Sequence, residues 1–309
     1  MTWILLKQIL GMIIMAAAGF CLTKSHIVKA ADSEVLTKVS VYIITPCIMC
    51  YSFQIEFDRA EVQKMIFALA ASILLFTMYL ILSFFMGHGK RALNNAERAS
   101  IIYGNSSNMA IPLIQGTLGN PYVPFISIYS AVQLVLVWTI GVKMMGGKSN
   151  GWKKILTNPP LIGIFFGLVL FVLKIRLTGP IAVAVENLGN CIGPISMVII
   201  GMLVGNLNFR DILKNGRIYG VVFMRLIVCP MISIGLLLIL GKIWPIEDYQ
   251  NILMAIVICN SGPAAALVVQ QAQLYGYPDV EYVSAVNILG TACCLFTLPA
   301  IALFYRLIL

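Results

Sequence analysis

Charge is what this sequence has least of. Only 11% of its 309 residues are Asp, Glu, Lys or Arg, and just two are histidine. The 12 acids read as loop residues or as residues at the ends of apolar runs, with Glu186 and Glu281 nearest to membrane depth. A carboxylate proton relay across a bilayer therefore has no obvious carrier. His26 and His88 both read as loop residues. An intramembrane enzyme needs a nucleophile–base pair, a metal cluster or an acidic diphosphate site. None of these assembles here, so the chain reads as a non-enzyme without a cofactor. Basic patches interleaved with exposed aromatics are also missing. The net charge of +9 comes from Lys and Arg scattered singly through loops, which argues against nucleic acid and assigns the charge to membrane topology. Cys47 and Cys50 have metal-ligand spacing but follow Pro46 in an apolar run with no second Cys or His pair. They and the other cysteines read as buried free thiols, except Cys21 near a run's end.

Apolar residues are what is there in excess. They make up 60% of the chain, and its mean hydropathy is +0.93, which excludes a soluble domain. Hydropathy marks ten apolar stretches: 3–23, 34–54, 63–86, 96–118, 122–145, 155–175, 182–206, 217–241, 249–275 and 281–306. The first also carries Lys7 ahead of its apolar run and Ala16-Ala17-Ala18-Gly19 behind it, as a cleaved signal would. Kept as a helix, it completes the pairing argued next. About two-thirds of the loop Lys and Arg, among them Lys90, Arg91, Lys148, Lys153 and Arg210, fall on one side of such a layout. The expectation is a multi-pass protein of the cell inner membrane with both termini outside.

Two stretches are broken. Tyr103-Gly104-Asn105-Ser106-Ser107-Asn108-Met109-Ala110-Ile111-Pro112 interrupts the fourth, and Cys259-Asn260-Ser261-Gly262-Pro263 interrupts the ninth. A helix in lipid must satisfy its backbone internally, and proline removes a donor, so a break survives only against protein or a wet cavity. Breaks four and nine divide ten stretches into halves of five, and an odd count makes the second half enter from the opposite side. Thr45-Pro46 in the second stretch and Gly193-Pro194 in the seventh repeat the match. The expectation is an all-α integral membrane protein: ten transmembrane helices as two inverted five-helix repeats, 1–147 and 155–309, joined by a cytoplasmic linker at 148–154.

Polar groups at membrane depth are costly and mark substrate pathways. Here they are Asn105, Ser106, Ser107, Asn108, Gln115 and Gln133 in the first half. In the second they are Asn260, Ser261, Gln270, Gln271, Gln273 and Asn287. Half-helices starting near Pro112 and Pro263 would point positive N-terminal ends into a cavity. The alternative is that these side chains only repair the breaks and tie helices together. Arg225 is the one cation well inside a stretch; it either attracts an anionic substrate or snorkels to the cytoplasmic interface. The candidate substrate site is Asn105, Ser106, Asn108, Pro112, Gln133, Arg225, Asn260, Ser261, Pro263 and Asn287.

The run from Asn105 to Pro112, an asparagine followed seven residues later by proline, resembles the fourth-helix motif of the auxin efflux carrier family. Pro263-Ala264-Ala265-Ala266, with Ala272, Tyr275, Pro278 and Asp279 beyond it, is similar to the end of that family's ninth helix. The resemblance implies a scaffold of helices 1, 2, 6 and 7, with a possible homodimer through it, and a mobile transport unit of helices 3–5 and 8–10. It implies elevator-type alternating access, with a small organic anion held at the crossing. The absence of a large central loop matches compact bacterial members, which are associated with dicarboxylates such as malate or malonate. The Ser261-Gly262 pair departs from the family pattern. Rival readings are a bile-acid/sodium-symporter-like carrier and a channel or sensor built on a carrier fold. Coupling to H+ or to Na+ stays open.

Overall fold

The computed structural model describes residues 2–88, 92–147, 151–205 and 216–308. Regular structure among these residues is helical: α1 (Thr2–Lys24), α2 (Ala30–Ser52), α3 (Arg59–Met86), α4 (Asn95–Ile102), α5 (Ser106–Thr117), α6 (Asn120–Met144), α7 (Gly151–Leu156), α8 (Pro159–Val172), α9 (Gly179–Gly205), α10 (Gly216–Ile243), α11 (Tyr249–Asn260), α12 (Ala266–Leu274) and α13 (Val280–Ile308). Six of them (α2, α3, α6, α9, α10 and α13) are long and apolar enough to cross a membrane. Of the expected linker, 148–150 lies outside the described residues and the remainder falls in the short helix α7.

Local chemistry sets the helix starts. Asp58 caps α3 by accepting from the Arg59 N–H, and the Asn158 side chain accepts from the Leu161 N–H ahead of the Pro159-Pro160 start of α8. At α4, Asn94 and Glu97 form a reciprocal capping box, each side chain accepting the other's backbone N–H at 2.8 Å. Glu97, in the first turn of α4, is fully buried, while Glu281 is exposed. Its carboxylate is satisfied by Arg217 of α10, by the Tyr282 hydroxyl of α13 at 2.7 Å and by the Asn94 N–H. A pairing across 120 residues leaves no local trace in a hydropathy profile.

Small residues decide which helices touch. A Cβ added to Gly19 of α1 would lie 2.2 Å from the Val198 carbonyl of α9, and one added to Gly201 would lie 1.9 Å from the Ala16 carbonyl. Gly163 and Gly167 of α8 meet the Pro46 and Cys50 backbone of α2 in the same way, and Gly189 of α9 meets Ile48. Lipid tails are as apolar as leucine, so helices associate through such close backbone approach. Gly201–Gly205 and Gly163–Gly167 are glycine pairs four apart, a signal in the sequence that hydropathy alone passes over.

The candidate functional site at the crossing of two broken helices

The two breaks meet. Between α4 and α5 the chain is extended through Tyr103–Asn105; between α11 and α12 the helix is open from Ser261 to Ala265. The Asn105 N–H donates to the Pro263 carbonyl at 2.7 Å and the Ala265 N–H to the Tyr103 carbonyl at 2.9 Å. Gly104 and Ala264 thus form an isolated antiparallel bridge. Backbone groups freed by each break are satisfied by the other, as an apolar interior requires.

The first break is not where proline suggested. Pro112 lies inside α5, well past its start at Ser106, and packs against Gly193 of α9, whose added Cβ would meet it at 3.1 Å. The chain opens instead at Gly104, because the Arg225 guanidinium occupies the space a side chain would need: a Cβ there would lie 1.7 Å from Nη2. Pro263 does sit in its break, with α12 beginning three residues later at Ala266.

Arg225 does not snorkel. It is 2% exposed, so it does not reach the interface. It projects from a widened turn at Met224–Val228 of α10. Its Nε donates to the Gly262 carbonyl at 2.9 Å, Nη1 to Ile101 at 2.9 Å and Ile102 at 3.3 Å, and Nη2 to Asn260 at 2.9 Å. Ile101, Ile102 and Asn260 are the last residues of α4 and α11, where helix carbonyls lack intrahelical partners and the helix dipole is negative. One guanidinium caps both ends.

Gln133 of α6 and Asn287 of α13 hold the bridge from its two sides. The Gln133 Nε2 donates to the Gly104 carbonyl and the Asn287 Nδ2 to the Ala264 carbonyl, each at 2.6 Å. The Gln133 Oε1 is buried without a partner among the described residues. A second widened turn, Val137–Gly141 in α6, leaves carbonyls for side chains: Leu136 accepts from the Tyr103 hydroxyl at 3.2 Å and Val137 from the Gln271 Nε2 at 3.0 Å. Gln270 and Gln273 are exposed on α12, and Gln115 donates to Asn120 and Asn190 at the far end of α5.

The two asparagines separate. Asn260 is fully buried; its Oδ1 accepts from the Tyr129 hydroxyl at 3.1 Å and its Nδ2 donates to the Ser233 Oγ at 2.8 Å, which lies 2.9 Å from the Tyr79 hydroxyl. Ser261 is equally buried and donates back to the Val257 carbonyl at 2.7 Å. Asn105 is half-buried, and its carboxamide makes no hydrogen bond to a described residue. It stands at the N-terminal cap of α5, and the side chains of Ser106 and Asn108 in that first turn lie outside the described residues. Asn260→Ala should therefore cost stability, about 1–3 kcal/mol for the buried Tyr129 hydroxyl whose acceptor it removes. Thermal unfolding of the purified variant checks this; an unshifted midpoint would remove the network.

Two cavities lined by described residues lie away from the bridge. One of about 530 Å³ is bounded by the α2–α3 connection and the end of α8. Its two cations, Lys174 and Arg176, are offset by Glu56 and Asp58; Lys174 sits 5.0 Å over the Phe57 ring and Arg176 lies 3.8 Å from Glu56. This balance makes it a poor anion trap beside the crossing. A second, of about 170 Å³, lies between Ile48–Ile55 at the end of α2 and Asn120–Val123 at the start of α6. No group of three or more His, Cys, Asp or Glu is arranged to hold a metal among the described residues.

No curated protein matches the chain. A family profile described as membrane transport protein matches it over residues 4–155 and 148–302, nearly its whole length. Broken helices that satisfy each other's backbone inside an apolar helical protein are the architecture expected of such proteins. The chain therefore belongs to the membrane transport protein family, the family of the auxin efflux carriers.

Proposed function

We propose that the protein is a secondary transporter of small organic anions, carboxylates in particular, working by elevator-type alternating access. The observation that carries this is the charge arrangement at the Gly104–Ala264 bridge. Four helix ends meet there. Arg225 neutralises the negative C-terminal ends of α4 and α11, whereas the first turns of α5 and α12 contain no acid and their caps make no side-chain hydrogen bond among the described residues. The N–H groups of a helix's first turn and its positive dipole end favour an anion. The Asn105 carboxamide at the cap of α5, unbonded among the described residues, adds a donor, and we assign Ser106 and Asn108 of the same turn to the site with it. Gln133, Asn287, Asn260, Ser261 and Arg225 hold the crossing from behind.

The architecture proposed with this function is ten passes in two inverted repeats, with α4–α5 and α11–α12 each counted as one pass. The antiparallel bridge supports it, because the two breaks run in opposite directions. So does the equivalence of Gln133 in the fifth pass and Asn287 in the tenth, which donate to the two bridge carbonyls. The proposed scaffold, passes 1, 2, 6 and 7, corresponds to α1, α2, α8 and α9, the helices in glycine-mediated backbone contact. The seam between α2 and α6, carrying the 170 Å³ cavity and the Ser52–Ser127 hydroxyl pair at 3.1 Å, is the plane along which a mobile unit would slide.

Counterflow in proteoliposomes tests the proposal. Vesicles loaded with unlabelled malate or malonate should accumulate the labelled compound transiently and saturably, and protein-free vesicles should not. Non-saturating conductance would point to a channel, and absence of exchange across a panel of carboxylates would end the anion-carrier reading.

A further inference from the structure

We propose that the Arg225 guanidinium is a built-in monovalent cation, filling a carbonyl-lined cation site at the crossing in place of an ion from solution. The inference rests on how the crossing is held together and stands whichever substrate is carried. Four backbone carbonyls, those of Ile101, Ile102, Asn260 and Gly262, converge on one positive group at 2.9–3.3 Å. Converging carbonyls on opened backbone are how membrane proteins replace the hydration shell of a small cation.

The charge balance closes without a carboxylate. None of Arg225's hydrogen bonds goes to an acid, and the residue is 2% exposed. A buried charge has to be paired. Each helix C-terminus is equivalent to roughly −0.5 elementary charge. Two of them, from α4 and α11, match one guanidinium. The site is also shaped for it: Gly104 is the residue whose missing Cβ admits Nη2, and the widened turn at Met224–Val228 delivers the side chain. Because α10 supplies the cation covalently, the positive charge stays with the crossing, and no inorganic cation is needed there to keep two negative helix ends together.

The test is chemical rescue. Arg225→Ala, purified in a choline-based buffer, vacates the site. Methylguanidinium chloride at millimolar concentration should then raise its Tm by roughly 2–4 °C, as a ligand that binds only the folded state does. Wild type should not respond, and neither should the variant given the same concentration of extra choline chloride. The double variant Arg225→Ala/Gly104→Ala, with a methyl group in the vacated space, should lose the response. Absence of a specific rise in Arg225→Ala, or an equal rise in wild type, overturns the proposal. Should Arg225→Ala yield no folded protein, Arg225→Lys and Arg225→Gln decide the matter by yield and Tm. Lysine keeps the cation and glutamine only the donors, so lysine should be clearly the more stable; parity between them overturns the proposal too.

Discussion

Gly104→Ala should destabilise this protein more than any other single methyl group added to one of its helix-flanking glycines. The new Cβ would lie 1.7 Å from the Arg225 Nη2, so the guanidinium must leave its carbonyls or the bridge to Ala264 must open. The first route strands a buried charge, which costs about 3–5 kcal/mol. The second frees backbone groups at membrane depth, each at a cost of several kcal/mol. The measurement is the yield and Tm of folded, monodisperse protein in detergent. Gly235→Ala on α10 is the control, since its Cβ would meet nothing within 4 Å and alanine favours a helix over glycine by about 1 kcal/mol. Equal stability of Gly104→Ala and wild type would mean that Arg225 is not seated at the crossing.

Asn105 should give the largest loss in binding among variants that still fold. Its backbone N–H holds Pro263, and a substitution leaves that bond in place, while its carboxamide makes no hydrogen bond to a described residue. Removing a hydrogen-bond donor to a charged carboxylate costs about 1.5–3 kcal/mol, so Asn105→Ala should weaken substrate binding by roughly 10–100-fold. Asn105→Asp should be worse, since it puts a like charge of nearly the same size against an anion. Direct binding of the transported anion to purified variants, with Tm recorded alongside, separates this from misfolding. Wild-type affinity in both variants would leave Asn105 as a helix cap and nothing more.

The different expectations for Asn105 and Asn260 show how far the two asparagines diverge from their similar settings in sequence. Each is a carboxamide beside a break in an apolar run, and nothing local distinguishes them. In the fold, Asn260 is enclosed by Tyr129 and Ser233 from helices 131 and 27 residues away along the chain, whereas the Asn105 amide bonds no described residue. Arg225 is the same case: a lone cation in an apolar run admits a substrate contact or a snorkel, and the carbonyls that claim it belong to segments as far as 124 residues distant.

What the sequence by itself determined is the set of things lipid dictates locally. Apolar runs must become helices because no water is there to satisfy backbone groups, and the polar, glycine- and proline-bearing interruptions must become openings. Those rules carried the membrane class, the helical positions and the pairing of the two broken segments as the place to look, and the motifs around them carried the family. Only the tertiary structure decided where the first opening falls, at Gly104 rather than Pro112, and which polar groups meet there. The physical reason is that one proline removes a single backbone donor, which a helix can absorb when its neighbours pack around it, as Pro112 does against Gly193. A guanidinium wedged among four carbonyls cannot share its space with a Cβ, and that constraint exists only once α10 lies beside both breaks.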